Sequence, residues 1–274
     1  MTALDEVARV VLAPNPSPMT LEGTNTYLLG QEDHGAVVVV DPGPRDPVHL
    51  DNIERLMDGA EVAAVLITHH HADHAEAAGW AGRWGAPLRA FDSTLVPDAR
   101  PVADGEILRL AGLSITTVHT PGHASDHLCL RIAETGVVLT GDHVLGRGSS
   151  VINWPDGDMA AYMRSLEVLA RDPGRRLFPG HGPMVEDPAG KIAEYIAHRH
   201  DRHRQILAAI AAGADSARSI VAAVYTDVPD FLHPAAELSV NAVLEMLVED
   251  GSIDPALAPD DNLLASDPSR DGSG

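Results

Sequence analysis

The chain has 274 residues, 40 acidic against 19 basic side chains, a formal net charge of −21, 45% apolar residues and one cysteine, Cys129. That length admits one large domain plus a small module around a full core, and the apolar share excludes a disordered chain. The charge disfavours loose electrostatic attachment to nucleic acid or an anionic membrane, and a lone cysteine, placed in a strand-like run and expected in the core, excludes an intramolecular disulfide.

The N-terminus, MTALDEVARVVLAPNP, lacks the basic start, long apolar stretch and small-residue cleavage site of a secretory signal. Apolar runs such as 36–40 and 62–67 are too short to cross a bilayer. A cytoplasmic location is the expectation. In chain order, β-branched runs at 36–41 (AVVVVD), 62–68 (VAAVLIT), 113–120 (LSITTVHT), 127–132 (HLCLRI), 136–141 (GVVLTG) and 176–180 (RLFPG) predict strands. Helical spacing at 47–57, at 72–83 and at 158–170, where Met159, Tyr162, Met163, Leu166 and Leu169 recur, predicts helices that cover sheet faces. The class is α/β. After a Pro/Gly-rich turn at 179–190, helical runs at 191–212, 216–225 and 234–250 predict a small winged-helix-like module, with Leu238, Val243, Met246 and Leu247 facing its own core. The expected divisions are 1–188 for the larger domain, 189–254 for the module and 255–274 for an acidic tail with too little apolar surface to fold.

The segment Thr68-His69-His70-His71-Ala72-Asp73-His74 follows the strand that ends at Ile67. Side chains alternate at a strand end, so His69 and His71 point one way, His70 points away, and Asp73 and His74 occupy the next turn. Three further groups stand at glycine turns just after strands: His123 in HTPGH, Asp142 in LTGD and His181 in FPGH. One such histidine would pass for a surface or core residue. Imidazoles and carboxylates in this number, all at strand ends, suit a divalent metal instead.

The order His-x-His-x-Asp-His, Pro-Gly-His, Thr-Gly-Asp, Pro-Gly-His resembles the ligand set of the metallo-β-lactamase superfamily, from about residue 20 to 185. The resemblance implies an αββα sandwich with two divalent ions at one edge of the sheets, zinc first, with manganese or iron open. His69, His71 and His123 would hold the first ion, Asp73, His74 and His181 the second, and Asp142 would bridge them. The family scheme implies attack by a bridging hydroxide, with Asp73 accepting its proton and Asp142 a catalytic ligand. Two divalent ions against two carboxylates and one hydroxide leave about +1, which admits an anionic substrate. Asp41, in VVVVDPG, would support the metal loop through hydrogen bonds, in competition with a plain turn role. His127 is a candidate for similar support, although for it and for His143 the structural reading is the favoured one.

A bridging aspartate separates the chain from true zinc β-lactamases, leaving β-lactam hydrolysis at most a side activity. Only 38 residues lie between Asp142 and His181, too few for the inserted domain of nucleases that process RNA from a free 5′ end. Segments 15–30, 120–130, 141–146 and 189–207 resemble the subfamily of beta-lactamase-like protein two, with its C-terminal winged helix. The resemblance implies single-stranded RNA as leading substrate, with thioester hydrolysis of the hydroxyacylglutathione (glyoxalase II) type second. An iron oxidoreductase or a binding protein stands third. His198 and Arg199, in AHR, are the candidate substrate contacts, and at helical spacing Arg199, Arg202 and His203 share a face that could anchor a small anionic substrate or an RNA phosphate. Residues 219–269 hold ten acidic residues and no Lys or Arg, so the module reads as a packing or homodimer element rather than a duplex-DNA reader.

Overall fold

The structure, a computed structural model, describes residues 2–3 and 5–259. Its first sheet has seven strands in sequence order: Thr2–Ala3 (β1), Ala8–Leu12 (β2), Asn25–Leu29 (β3), Ala36–Val40 (β4), Glu61–Leu66 (β5), Leu88–Ala90 (β6) and Arg100–Pro101 (β7). Pairing is antiparallel as far as β4 and parallel beyond it. The second sheet is formed by Ile107–Leu110 (β8), Leu113–His119 (β9), Leu128–Ile132 (β10), Val137–Gly141 (β11) and Arg176–Pro179 (β12), in the order β12-β11-β10-β9-β8.

The valine run of β4 shows how the layers arise. A strand buried on both faces needs apolar residues throughout. Val37 and Val39 pack with Ile53 and Met57 of the helix Pro47–Met57 (α1). Val38 and Val40 face the other sheet, where they join Tyr27, Ile115, Leu130, Leu139 and Phe178. On the outer face of the second sheet lie the helices Met159–Arg171 (α4) and Pro188–Ala211 (α5). The expected αββα sandwich is therefore present, and Cys129 is fully buried in it.

The helix expected over 72–83 is broken into Ala72–Ala75 (α2) and Trp80–Arg83 (α3). Gly43 is the cause: its N–H donates to the His74 carbonyl and its carbonyl accepts the Ala77 N–H, so two groups of the helical ladder are diverted to a loop. That crossing ties the metal-ligand turn to the end of β4.

Three helices follow the sandwich: α5, Ala217–Val224 (α6) and His233–Glu249 (α7). The module does not keep a separate core. Ile192, Tyr195, Ile206, Val240, Val243 and Leu247 share one apolar cluster with Cys129, Val138, Tyr162 and Leu166, while Leu238 and Met246 are half-buried. The segment Asp230–Glu249 is long and apolar enough to compare with a membrane span, yet Val240, Val243, Leu244 and Leu247 bury its inner face in that cluster. Where the tail was expected to begin, Pro255–Leu257 form a short 3-10 turn; the rest of that expectation, from residue 260, lies outside the described residues.

His49 on α1 is buried beside Gly43, with Nε2 sharing a hydrogen with Thr26 Oγ1 at 2.8 Å and Nδ1 lacking a hydrogen-bond partner among the described residues. Burial lowers its pKa to about 4 from 6.5. The unfolded chain takes up this proton first, so the contribution to stability is complete above about pH 6.5 and is lost as the pH falls toward 4. Thermal melts between pH 7 and 5 should show a Tm decline that is shallower in His49→Gln; equal slopes would remove His49 from the acid response.

Candidate metal centre

All seven expected ligands meet at one edge of the sandwich, in two groups whose ligand atoms lie within 4.8 Å of one another: His69, His71 and His123, and Asp73, His74, Asp142 and His181. Each comes from a strand end, β5, β9, β11 or β12, or from α2. His70 does point away, toward Asp126 Oδ1 at 2.9 Å.

In the first group, His71 Nδ1 lies 3.0 Å from His123 Nε2. The far side of each ring is held: His123 Nδ1 donates to the Val151 carbonyl at 2.6 Å and His69 Nδ1 meets Thr68 Oγ1 at 3.0 Å. Asn153 Nδ2 faces His71 Nε2 at 3.1 Å; with the amide flipped, Oδ1 would accept that ring N–H and leave Nδ1 for a metal. His69 Nε2 is buried and makes no hydrogen bond to any described residue, which is the arrangement a metal ligand needs and a core histidine avoids.

The second group is more highly charged. His74 Nδ1 donates to Asp41 Oδ2 at 2.9 Å and His181 Nδ1 to the Gly23 carbonyl at 3.2 Å, which leaves the two Nε2 atoms facing each other at 3.3 Å. Asp73 Oδ2 lies 3.1 Å and Asp142 Oδ2 3.3 Å from His181 Nε2. Asp142 also reaches the first group, with Oδ2 at 3.7 Å from His123 Nε2, and its Oδ1 is another buried atom without a hydrogen bond to the described residues. Nitrogen and oxygen donors with vacant lone pairs fit a pair of divalent ions.

Electrostatics divide the groups in the same way. Burial, then neighbouring imidazoles, hold His69 well below the ordinary histidine range, and burial and His123 push His71 down to about 3. These are neutral donors, ready to coordinate. Burial opposes charge on His74 and His181 as well, but Asp73 and Asp142 overcome it, raising His74 well above the ordinary value and His181 to about 9. A cation held by these residues would take the place of those protons.

Asp41 and His127 both contact the candidate ligands from behind. Asp41, at φ +49, accepts the Thr68 N–H at 2.7 Å, the Thr68 hydroxyl at 2.6 Å and the His74 ring N–H. His127 Nε2 accepts the Asp142 backbone N–H at 3.1 Å while its Nδ1 meets Thr120 Oγ1. His143 is fully buried against Tyr162, in keeping with a structural role. Missed from the sequence were Asn153 and Asn25, whose amide donates to the carbonyls of Pro179 and Gly182 and so clamps the His181 turn to the first sheet. A buried amide in the apolar run NTYLL was the available signal. Gly122 sets the His123 turn at φ +136, where an added Cβ would enter the backbone of Tyr162. Gly122→Ala should cost about 2–3 kcal/mol of stability and lower metal uptake, measured by denaturant unfolding and metal analysis; an unchanged melt would mean that α4 yields.

His198 and Arg199 line a cavity of about 380 Å³ that opens on His123 and Asp142. Larger hollows of about 710 and 760 Å³ hold none of the seven ligands. The expected anion-binding face on α5 is not formed. Arg202 is committed to the Val224 carbonyl at 2.7 Å, to Gln205 and to the face of Tyr225, closing the end of α6. His203 faces a different cavity. Only Arg199 of the three reaches the metal side, because a helical stripe spans more than one neighbour once α4, α6 and α7 pack around it.

The family model described as the metallo-beta-lactamase superfamily matches residues 19–181, and that of the beta-lactamase associated winged helix domain matches residues 216–255. The beta-lactamase-like protein 2 homolog of Drosophila melanogaster is 34% identical, over 94% of this chain and 93% of its own length. The atrochrysone carboxyl ACP thioesterase of Aspergillus chevalieri is 33% identical over 89% of this chain and 81% of its own. The crystal structure of a beta-lactamase domain protein from Burkholderia ambifaria matches with a TM-score of 0.79 at 25% identity, over 91% of this chain and 88% of that one.

Proposed function

This chain belongs to the metallo-β-lactamase superfamily, and from that membership we propose that it is a dinuclear metal-dependent thioesterase whose substrate places its acyl part in the cavity beside His123 and Asp142. The observation that carries this reading is the wall of that cavity. Leu21, Leu145, Val151, Tyr225, Val228 and Leu232 line it, an apolar surface suited to a hydrocarbon or aromatic acyl group. Its two arginines are both engaged, Arg147 with Glu22 at 2.7 Å and Arg199 with the Ser150 carbonyl. A polynucleotide needs free cations for the phosphates that flank the bond to be cut, whereas the carrier of an acyl thioester keeps its phosphates a pantetheine arm away from the carbonyl, so the thioester ranks ahead of single-stranded RNA. The similarity to a relative described as an acyl-carrier thioesterase supports the same order.

His69, His71 and His123 would hold one ion and Asp73, His74 and His181 the other, with Asp142 shared between them. Bound there, two divalent ions supply Lewis acidity toward the thioester carbonyl and activate a water. Zinc is the first choice, with iron or manganese accepted by the same donors. Asp73, whose side chain at 29% is the most exposed of the ligand carboxylates, takes the proton released on attack and is placed to pass it to the leaving thiolate. His198, half-buried, and Arg199, buried, both line the cavity and are the proposed polar contacts to substrate. The C-terminal helices close the cavity through Tyr225, Leu232, Ala236 and Ser239, which gives the acidic module a role in shaping the site rather than in binding DNA.

The test compares kcat/KM of metal-loaded protein on hexanoyl- and benzoyl-coenzyme A, lactoylglutathione and end-labelled single-stranded RNA. Coenzyme A thioesters are expected to lead. Internal cleavage of RNA at a higher kcat/KM, lost in Asp142→Ala, would overturn the thioester reading in favour of an endoribonuclease.

A further inference from the structure

The cavity beside the metal ligands does not end at a wall of backbone. Arg199 lines it and also lines a second cavity of about 230 Å³, whose other neighbours include Met159, Met163, His203, Val243 and Met246. Among the described residues no other borders both. The two lie in line along α7: Ala235, Ala236 and Ser239 border the first, and Val243, Met246 and Asp250 the second. Steps of three and four keep these positions on one helix face, and at 1.5 Å per residue the stretch from 235 to 250 runs roughly 22 Å. Along α5, His198 borders the first cavity and His200 and His203 the second.

Arg199 is thus the one described side chain that the two cavities share. Its guanidinium lies 4.9 Å from the Tyr162 ring and gives one N–H to the Ser150 carbonyl, while the buried Nε has no hydrogen-bond partner among the described residues. A guanidinium with a buried donor unmet is held by less than its full set of bonds. Behind it stand three methionines, side chains that re-pack around whatever enters.

We infer that Arg199 is a movable partition that sets the length of acyl chain the site accepts. Short chains end against it in the first cavity. Longer chains displace the guanidinium from Ser150 and Tyr162 and run on between Met159, Met163 and Met246 into the second cavity, where each methylene buried offsets part of the free energy needed to swing the guanidinium aside. This inference rests on the thioester reading and specifies its substrate range.

The experiment measures kcat/KM of metal-loaded parent, Arg199→Met and Met246→Trp on a series of saturated acyl-coenzyme A thioesters from four to sixteen carbons. It also measures binding of a non-hydrolysable sixteen-carbon thioether analogue to metal-free protein. The parent should favour short chains. Arg199→Met should raise the long-to-short ratio of kcat/KM by about tenfold and tighten the analogue by a similar factor, and Met246→Trp should lower both. The Met246 variant keeps the test decisive if Arg199→Met fails to fold. The same length profile in parent and variants overturns the partition and leaves the thioesterase intact; an absence of thioester hydrolysis by the parent overturns both.

Discussion

Asp142→Ala is expected to lower kcat/KM by about 10³-fold or more, about 4 kcal/mol of transition-state stabilisation, while the chain remains folded. The carboxylate lies 3.3 Å from His181 Nε2 and 3.4 Å from His74 Nε2 with one oxygen and the other, and reaches His123 Nε2 at 3.7 Å, so one side chain links both ligand groups. Its removal leaves the two groups without a shared ligand and the second group with one carboxylate where it had two. The backbone of the turn is held independently, by His127 on the Asp142 N–H and by the Gly180 N–H on the Gly141 carbonyl, which is why unfolding should change little. Metal analysis is expected to give about one ion per chain where the parent holds two. Full activity in a variant of known metal content would refute the dinuclear mechanism.

Asp41→Ala is expected to weaken metal binding 10–100-fold, the usual cost of losing the group that orients a ligand (~10–100-fold), and to destabilise the chain as well. Two mechanisms add. The His74 ring loses the carboxylate that fixes its Nδ1 hydrogen and aims Nε2 at the site. The buried Thr68 N–H, which initiates the His69–His71 turn, is left without its acceptor, a loss of about 1–3 kcal/mol. Alanine is also disfavoured at φ +49, a conformation that aspartate and asparagine tolerate. Asp41→Asn separates the two effects, since it keeps the backbone preference and one acceptor oxygen. Competition against a chelator, run beside thermal melts, reads affinity and stability separately. If metal affinity survives in Asp41→Ala while stability falls, Asp41 is a turn residue and nothing more.

The ligand set was legible in the sequence because coordination chemistry restricts it to a few residue types and because a strand end throws alternate side chains the same way. His69 and His71 converge for that local reason. So do the glycine turns before His123, Asp142 and His181. Strands such as β4 and β11 were legible for another local reason, since burial on two faces demands an unbroken β-branched run. The shorter strands β6 and β7 were not, because two or three residues carry no period.

Local residue patterns were enough for the α/β class, for the candidate metal ligands and for the presence of a helical acidic module. How the 72–83 segment breaks depends on packing, because Gly43, some thirty residues earlier, competes for its backbone hydrogen bonds. The same holds for Arg199 and Arg202, three residues apart on one helix, which part company because one faces Ser150 and Tyr162 and the other the end of α6. The shape of the cavity belongs to this second class. Its walls come from the loop around Met19, the turn after β11 and the helices α5 and α7, and no short-range pattern records which distant side chains will close around the same space.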